Sequence, residues 1–147
     1  MFKPLIIAMA LSTFSMASST AFANSDVDVD ASQLEAIITA NIAATTKDSE
    51  SIEDMMKTMH SGSPVALEMR TNMEQLFPVV DMDTSLSAFN FIGKTSDYAI
   101  AKIKQKVVKI TGPAQFKSHE SEQLIVFKQE DGQWKIWQIS MLDMSFL

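Results

Sequence analysis

Val126-Phe127-Lys128-Gln129-Glu130-Asp131-Gly132-Gln133-Trp134-Lys135-Ile136 decides how the carboxy-terminal half folds. Asp-Gly between two apolar, β-rich runs is a tight-turn signal, because a type I′ turn needs positive φ at both central residues. With Glu130 paired to Gln133, the register sets Phe127 opposite Ile136, Val126 opposite Trp137 and Leu124 opposite Ile139. Side chains alternate along a strand. Ile125, Phe127, Trp134 and Ile136 therefore share one face, and Leu124, Val126, Trp137, Ile139 and Met141 the other. Both faces are apolar. A sheet covered by helices on one side only shows water a polar second face, so a cover is expected here, and a second copy of the chain is the simplest one.

Outward from the hairpin, strands are expected over 80–92, 98–110, 121–129 and 134–144, with a turn at 93–97 and a connection at 111–119. In the second of these, Ala101, Ile103, Gln105 and Val107 alternate with Lys102, Lys104 and Lys106. Val107-Val108 breaks that alternation and predicts a bulge or a change in exposure. The lysine stripe reads as a solvated or cross-strand-paired face that discourages edge-to-edge association.

Before residue 78 the period is helical. Ser32 and Glu35 have capping-box spacing, and Leu34, Ile37, Ile38 and Ile42 line one face. Ser51 with Asp54 opens a shorter helix striped by Ile52, Met55, Met56 and Met59, with Gly62 in the place of a left-handed C-terminal residue. Ser63-Pro64 starts a third helix carrying Ala66, Met69, Met73, Leu76 and Phe77, which Pro78 ends.

The chain of 147 residues opens with Lys3, an uncharged apolar run from Leu5 to Ala17 and Ala21-Phe22-Ala23. That is the three-part pattern of an export signal cleaved after Ala23, and the run is too short to span a bilayer. The expected organisation is a signal peptide at 1–23, a disordered acidic leader at 24–31 and one domain at 32–147. The mature protein is expected in the periplasm or secreted, with no membrane insertion after cleavage. A net charge of −6 argues against nucleic acid. No cysteine is present, which excludes disulfides and thiolate chemistry.

Helix, helix, proline-started helix and then a meander closing on Trp134-Lys135-Ile136 resembles the nuclear transport factor 2-like superfamily, closest to its small SnoaL-like bacterial members. The resemblance spans about residues 32 to 147. It implies an α+β fold: a cone-shaped roll in which N-terminal helices pack in a curved antiparallel β-sheet and leave a cavity at the open end. It also implies frequent homodimers through the sheet. It implies no single function, since the superfamily holds isomerases, dehydratases, adaptors and ligand binders.

The chemistry-bearing residues are few. His60 follows the methionine stripe and reads as an exposed helix-end residue or a general base at the cavity mouth. Tyr98 begins a strand, and Trp134 lies on the inner hairpin face; with His60 they are the ligand-pocket candidates. Trp137, Ile139, Val126 and Leu124 are the dimer-face candidates. Glu120 and Glu122 share a strand face that His119 does not, so no metal site is expected. Arg70 and Glu74 are spaced as an intrahelical pair. Eleven methionines suggest an adaptable interior. No catalytic constellation, metal or cofactor motif is present. The expectation is a non-catalytic, homodimeric domain holding a small, partly apolar ligand in the cone. An isomerase- or dehydratase-like acid–base enzyme in the same cavity, and an adaptor working through the apolar sheet face, are the alternatives.

Overall fold

The structure, a computed structural model, describes residues 20–147, with side chains from residue 30. Its elements run α1 (Thr20–Ala43), a 3₁₀ turn (Lys47–Ser49), α2 (Ile52–Lys57), α3 (Ala66–Leu76), β1 (Asp81–Lys94), β2 (Tyr98–Thr111), β3 (His119–Glu130) and β4 (Gln133–Phe146). The strands form one antiparallel sheet in the order β1-β2-β3-β4. This is the α+β roll expected from the sequence.

The charged start and apolar run of the export signal lie outside the described residues. α1 begins well ahead of the Ser32 cap and takes in residues 24–31, which the sequence suggested as a disordered leader. An ion pair between Asp30 and Lys94 at the end of β1 ties this part of the helix to the sheet. Ser32 is thus interior to α1 and caps nothing. Ser51 does cap α2, its hydroxyl accepting from the Asp54 N–H at 3.1 Å. Gly62 is not left-handed; positive φ among glycines belongs to Gly112 and Gly132. α2 stops earlier, at Lys57, because Thr58 and the residues after it leave the helix to pair with β4.

The hairpin forms as expected at its turn. Asp131 and Gly132 have φ of 51° and 75°, and Glu130 pairs with Gln133 and Phe127 with Ile136. Beyond that the register differs. Trp137 is an extra residue on β4, so Val126 meets Gln138 and Ile125 meets Ile139. A second shift leaves Leu142 unpaired. Each bulge flips the alternation of the residues that follow it. Ile139 therefore lies on the inner face, packed against the core, and not on the dimer face. The outer face opposite Val126 and Leu124 is Gln138 and Ser140 instead of Trp137 and Ile139. Its centre is also charged: Lys102 and Lys104 lie 2.9 and 3.6 Å from Glu122. The outer face is mixed, not uniformly apolar. No shift occurs at Val107-Val108; the nearest one leaves Ile110 unpaired with β1.

The main core joins Leu34, Ile38 and Ile42 of α1 to Ala99, Ala101 and Ile103 of β2, Ile125 and Phe127 of β3, and Trp134 and Ile136 of β4. Phe127, wholly buried, is at its centre. Removing a buried aromatic ring leaves a cavity as well as losing transfer energy. Phe127→Ala should therefore cost about 3–5 kcal/mol in urea unfolding; a loss under about 1 kcal/mol would mean that this layer does not hold helix to sheet.

Candidate functional site

The inner face of the sheet changes character along its length. On β2 the inward residues run Ala99, Ala101, Ile103 and then Gln105; on β3 they run Phe127, Ile125 and then Gln123, Ser121 and His119. The pairings Ile103–Gln123, Gln105–Ser121 and Val107–His119 place the polar ends together, away from the hairpin. β1 contributes Thr84 opposite Val107 and Leu86 opposite Gln105. Half the inner wall is a tight apolar core, and the other half carries polar groups where a core would have none.

A cavity of about 230 Å³ lies against this polar half. Met73 and Leu76 of α3 close it from the helical side, Met82, Val107 and Phe116 supply apolar wall, and Thr45, Thr84, Gln105 and His119 supply polar atoms, the Thr45 hydroxyl already donating to the Ile42 carbonyl at 2.7 Å. Val80, Met82 and Val107 form a second buried cluster with Leu76, Phe77 and Phe116, so the wall is packed from behind.

The polar atoms differ in how they are satisfied. The Gln123 amide donates to the Ser121 hydroxyl at 3.1 Å, so that buried pair serves itself. Thr84 is 8% exposed. Its backbone is held by Thr46, whose hydroxyl donates to the Thr84 carbonyl at 3.3 Å and accepts its N–H at 3.4 Å. Its own hydroxyl has no partner among the described residues. A buried hydroxyl without a hydrogen bond costs about 1–3 kcal/mol. His119 Nδ1 lies 2.9 Å from the Lys117 carbonyl. A carbonyl oxygen only accepts, so Nδ1–H is the donor in that contact. The Phe116 ring stands edge-on to the imidazole, 6.0 Å between centroids.

The sequence-derived pocket candidates are scattered. His60 lies on the edge of β4, not at a helix end. Its Nδ1 accepts the Gly62 N–H at 2.9 Å, its ring meets Trp137 edge-on at 4.9 Å, and Glu130 lies 3.8 Å away. Its side chain is 13% exposed, so it is a packed residue and not an exposed cap. Glu130 accepts the Ser61 N–H at 2.9 Å, and hydrogen bonding to Ser61 holds its carboxyl below the usual range, with His60 and Lys135 adding to the effect. Tyr98 is 40% exposed on the outer face, where Lys128 lies 5.6 Å from its ring and 4.2 Å from that of Trp137. Trp134 borders a separate groove among α1, α2 and the hairpin turn. None of the three lines the inner cavity. Of the dimer-face candidates, Leu124 and Val126 are neighbours on the outer face, Trp137 covers the loop at His60, and Ile139 is inside. Among the described residues no three His, Cys, Asp or Glu side chains converge as a metal site would require. No described helix is long and apolar enough to cross a membrane.

Thr84 and Gln105 are absent from the sequence-derived site. The one available signal is Gln105, a polar residue in the otherwise apolar phase of Ala101, Ile103 and Val107.

Residues 36–147 match the family model described as anti-sigma-I factor RsgI9, C-terminal domain. The chain belongs to this family. Its fold is that of the nuclear transport factor 2-like superfamily, as the sequence resemblance implied. A candidate aromatic ring hydroxylase from Novosphingobium aromaticivorans aligns at 11% identity and a TM-score of 0.67, covering 82% of this chain and 94% of that one. A candidate scytalone dehydratase from the same organism aligns at 9% identity and a TM-score of 0.67, covering 84% and 91%. A candidate dehydratase of the NTF2-like family from Streptomyces avermitilis aligns at 16% identity and a TM-score of 0.61, covering 82% and 98%. At such identities the likeness concerns the family fold alone. No curated protein sequence matches the chain.

Within this family member the Thr84 hydroxyl is the polar atom whose cost is most exposed to test. Thr84→Val keeps the side-chain shape and removes the unpartnered group, so it should stabilise the free protein by about 1 kcal/mol in urea unfolding. Destabilisation of that size would instead mean that the hydroxyl is already satisfied.

Proposed function

We propose that the protein is an exported, non-catalytic binding domain that holds a small, uncharged, partly apolar molecule between α3 and the inner face of the sheet. One observation carries the proposal: four polar residues, Thr45, Thr84, Gln105 and His119, stand in an otherwise apolar cavity with no Asp, Glu, Lys or Arg on its wall. Ligand sites combine mostly apolar lining with a few placed polar groups. Thr84 lies on this wall, and its buried hydroxyl has no partner among the described residues to compete with a ligand hydroxyl or carbonyl. The family's description as a domain of an anti-sigma factor, a regulatory protein, fits recognition better than turnover.

Export and self-association complete the proposal. The pattern of residues 1–23 supports cleavage after Ala23. Ile100, Val126 and Leu124, half-buried neighbours on the outer face, support a homodimer through a patch smaller than the sequence suggested. Val126→Lys should then halve the mass measured by light scattering without loss of fold, and an unchanged mass would remove this interface.

Native mass spectrometry of protein isolated from its own host tests the binding role. The expected species is the chain beginning at Asn24 with a co-purifying small molecule, lost in Thr84→Val and Gln105→Leu. A bare chain in the wild type would overturn the binding role, and an intact amino terminus would overturn export.

A second reading, an acid–base enzyme, has one observation in its favour. His119 lines the cavity with Nδ1 engaged by the Lys117 carbonyl, which leaves Nε2 as the ring nitrogen that could exchange a proton with a bound molecule. The two readings separate on His119→Gln: an enzyme keeps the bound molecule and stops converting it, whereas a binder shows no conversion in either form.

A further inference from the structure

Trp134 points to a different place from the inner cavity. A groove of about 550 Å³ lies among α1, α2 and the hairpin turn, more than twice the volume of the cavity above. Its size falls within the ~300–1,000 Å³ usual for small-molecule sites. Its apolar surface is Ile37 and Ala40 of α1 and Trp134 of β4. Trp134 is only 7% exposed, so the ring is fixed by the core behind it and offers a rigid wall.

The rim is charged. Lys57, Lys135 and Asp54 border the groove. Lys57 bonds Asp54 at 2.7 Å, and Lys135 donates to the Lys57 main-chain carbonyl at 2.6 Å. Glu53 lies near Lys57 and Glu130 near Lys135 just outside the groove, so the feature that stands out is not a net charge but the one ammonium, Lys135, that no carboxylate among the described residues holds. Lys135 has no carboxylate within ion-pair distance among the described residues, and its bond to a neutral carbonyl holds the ammonium on the rim. Apolar wall beside a held cation is the chemistry of an amphipathic acid. A carboxylate hydrogen-bonded to an ammonium is stronger than a neutral pair, and it favours the acid over an uncharged ligand of the same shape.

We propose that this groove is a second binding site, for small aromatic or aliphatic carboxylates, with the apolar body against Trp134, Ile37 and Ala40 and the carboxylate facing Lys135 and Lys57. The site shares no residue with the inner cavity, so it stands whether or not that cavity binds anything. It also differs in charge selection. The inner wall suits a neutral molecule, and the groove an anion.

The test is an amide and indole NMR titration of the full mature protein with 2-naphthoate, 2-naphthalenemethanol and 2-naphthylmethylammonium. Naphthoate should shift the Trp134 indole signal and the amides of Ile37, Ala40 and Lys57, and bind about tenfold more tightly than the alcohol. The ammonium probe should bind least. Lys135→Gln should remove the preference for acid over alcohol while leaving alcohol binding unchanged. Ala40→Trp, on the exposed side of α1, should fill the groove and abolish all three titrations. Equal affinities for the three probes would overturn the proposal. So would shifts confined to Thr84, Gln105 and His119, or no shifts at millimolar naphthoate.

Discussion

Ile136 joins the two halves of the molecule through backbone and side chain together. Its N–H donates to the Thr58 carbonyl at 2.8 Å and its carbonyl accepts the His60 N–H at 2.8 Å, while its side chain is wholly buried opposite Phe127. β4 is the edge of the sheet, and an edge strand leaves unpaired donors and acceptors. The chain between α2 and α3 satisfies this edge for a few residues, with Met59 bridged parallel to Ile136 and the Ser63 hydroxyl donating to the Trp137 carbonyl at 2.7 Å. α2 cannot continue past Lys57 and also make these bonds. Helix length, loop path and the placement of His60 follow from the same constraint.

Immediately beyond that tie, the Trp137 bulge changes which side chains face inward. Without it, Ile139 would fall on the outer face and the inner wall near Ile125 would lose an apolar neighbour. With it, Ile139 stays inside, and Trp137 is left to cover the loop, edge-on to His60 and beneath Lys128. Three further irregularities along the β1–β2 pairing bend the opposite margin of the sheet. Register shifts at both margins bend their strands, and the inner cavity lies at the end of the sheet away from the hairpin.

Legibility in the sequence followed the range of the interaction. The Asp131-Gly132 turn, the pairing of Glu130 with Gln133 and the Ser51 cap depend on residues within a few positions of one another, and all appear as expected. The buried stripe Leu34, Ile38 and Ile42 was visible as a 3.6-residue period. The hairpin register failed at Trp137 because a bulge has no local signature: an aromatic residue at that position reads as regular strand. The outer face was then overestimated as apolar, since one slipped residue exchanges every side chain after it. His60 was misplaced for a related reason. Its partner Glu130 is 70 positions away in sequence, and only the edge pairing brings them near. Thr84, Gln105 and His119 come from three strands, and only the sheet register assembles them.

The polar half of the inner wall carries the strongest physical argument for function. Ser121 and Gln123 show that burying polar side chains here is compatible with stability when they satisfy each other. Thr84 sits in the same wall without such a partner, although valine would fill the same shape and remove a cost of about 1–3 kcal/mol. That is a large share of a total stability of about 5–15 kcal/mol. A fold shaped by packing alone has no use for that hydroxyl. The proposed binding role would use it, because a hydroxyl unmet in the free protein adds most to a complex when a ligand atom meets it, and it discriminates against molecules that leave it unmet.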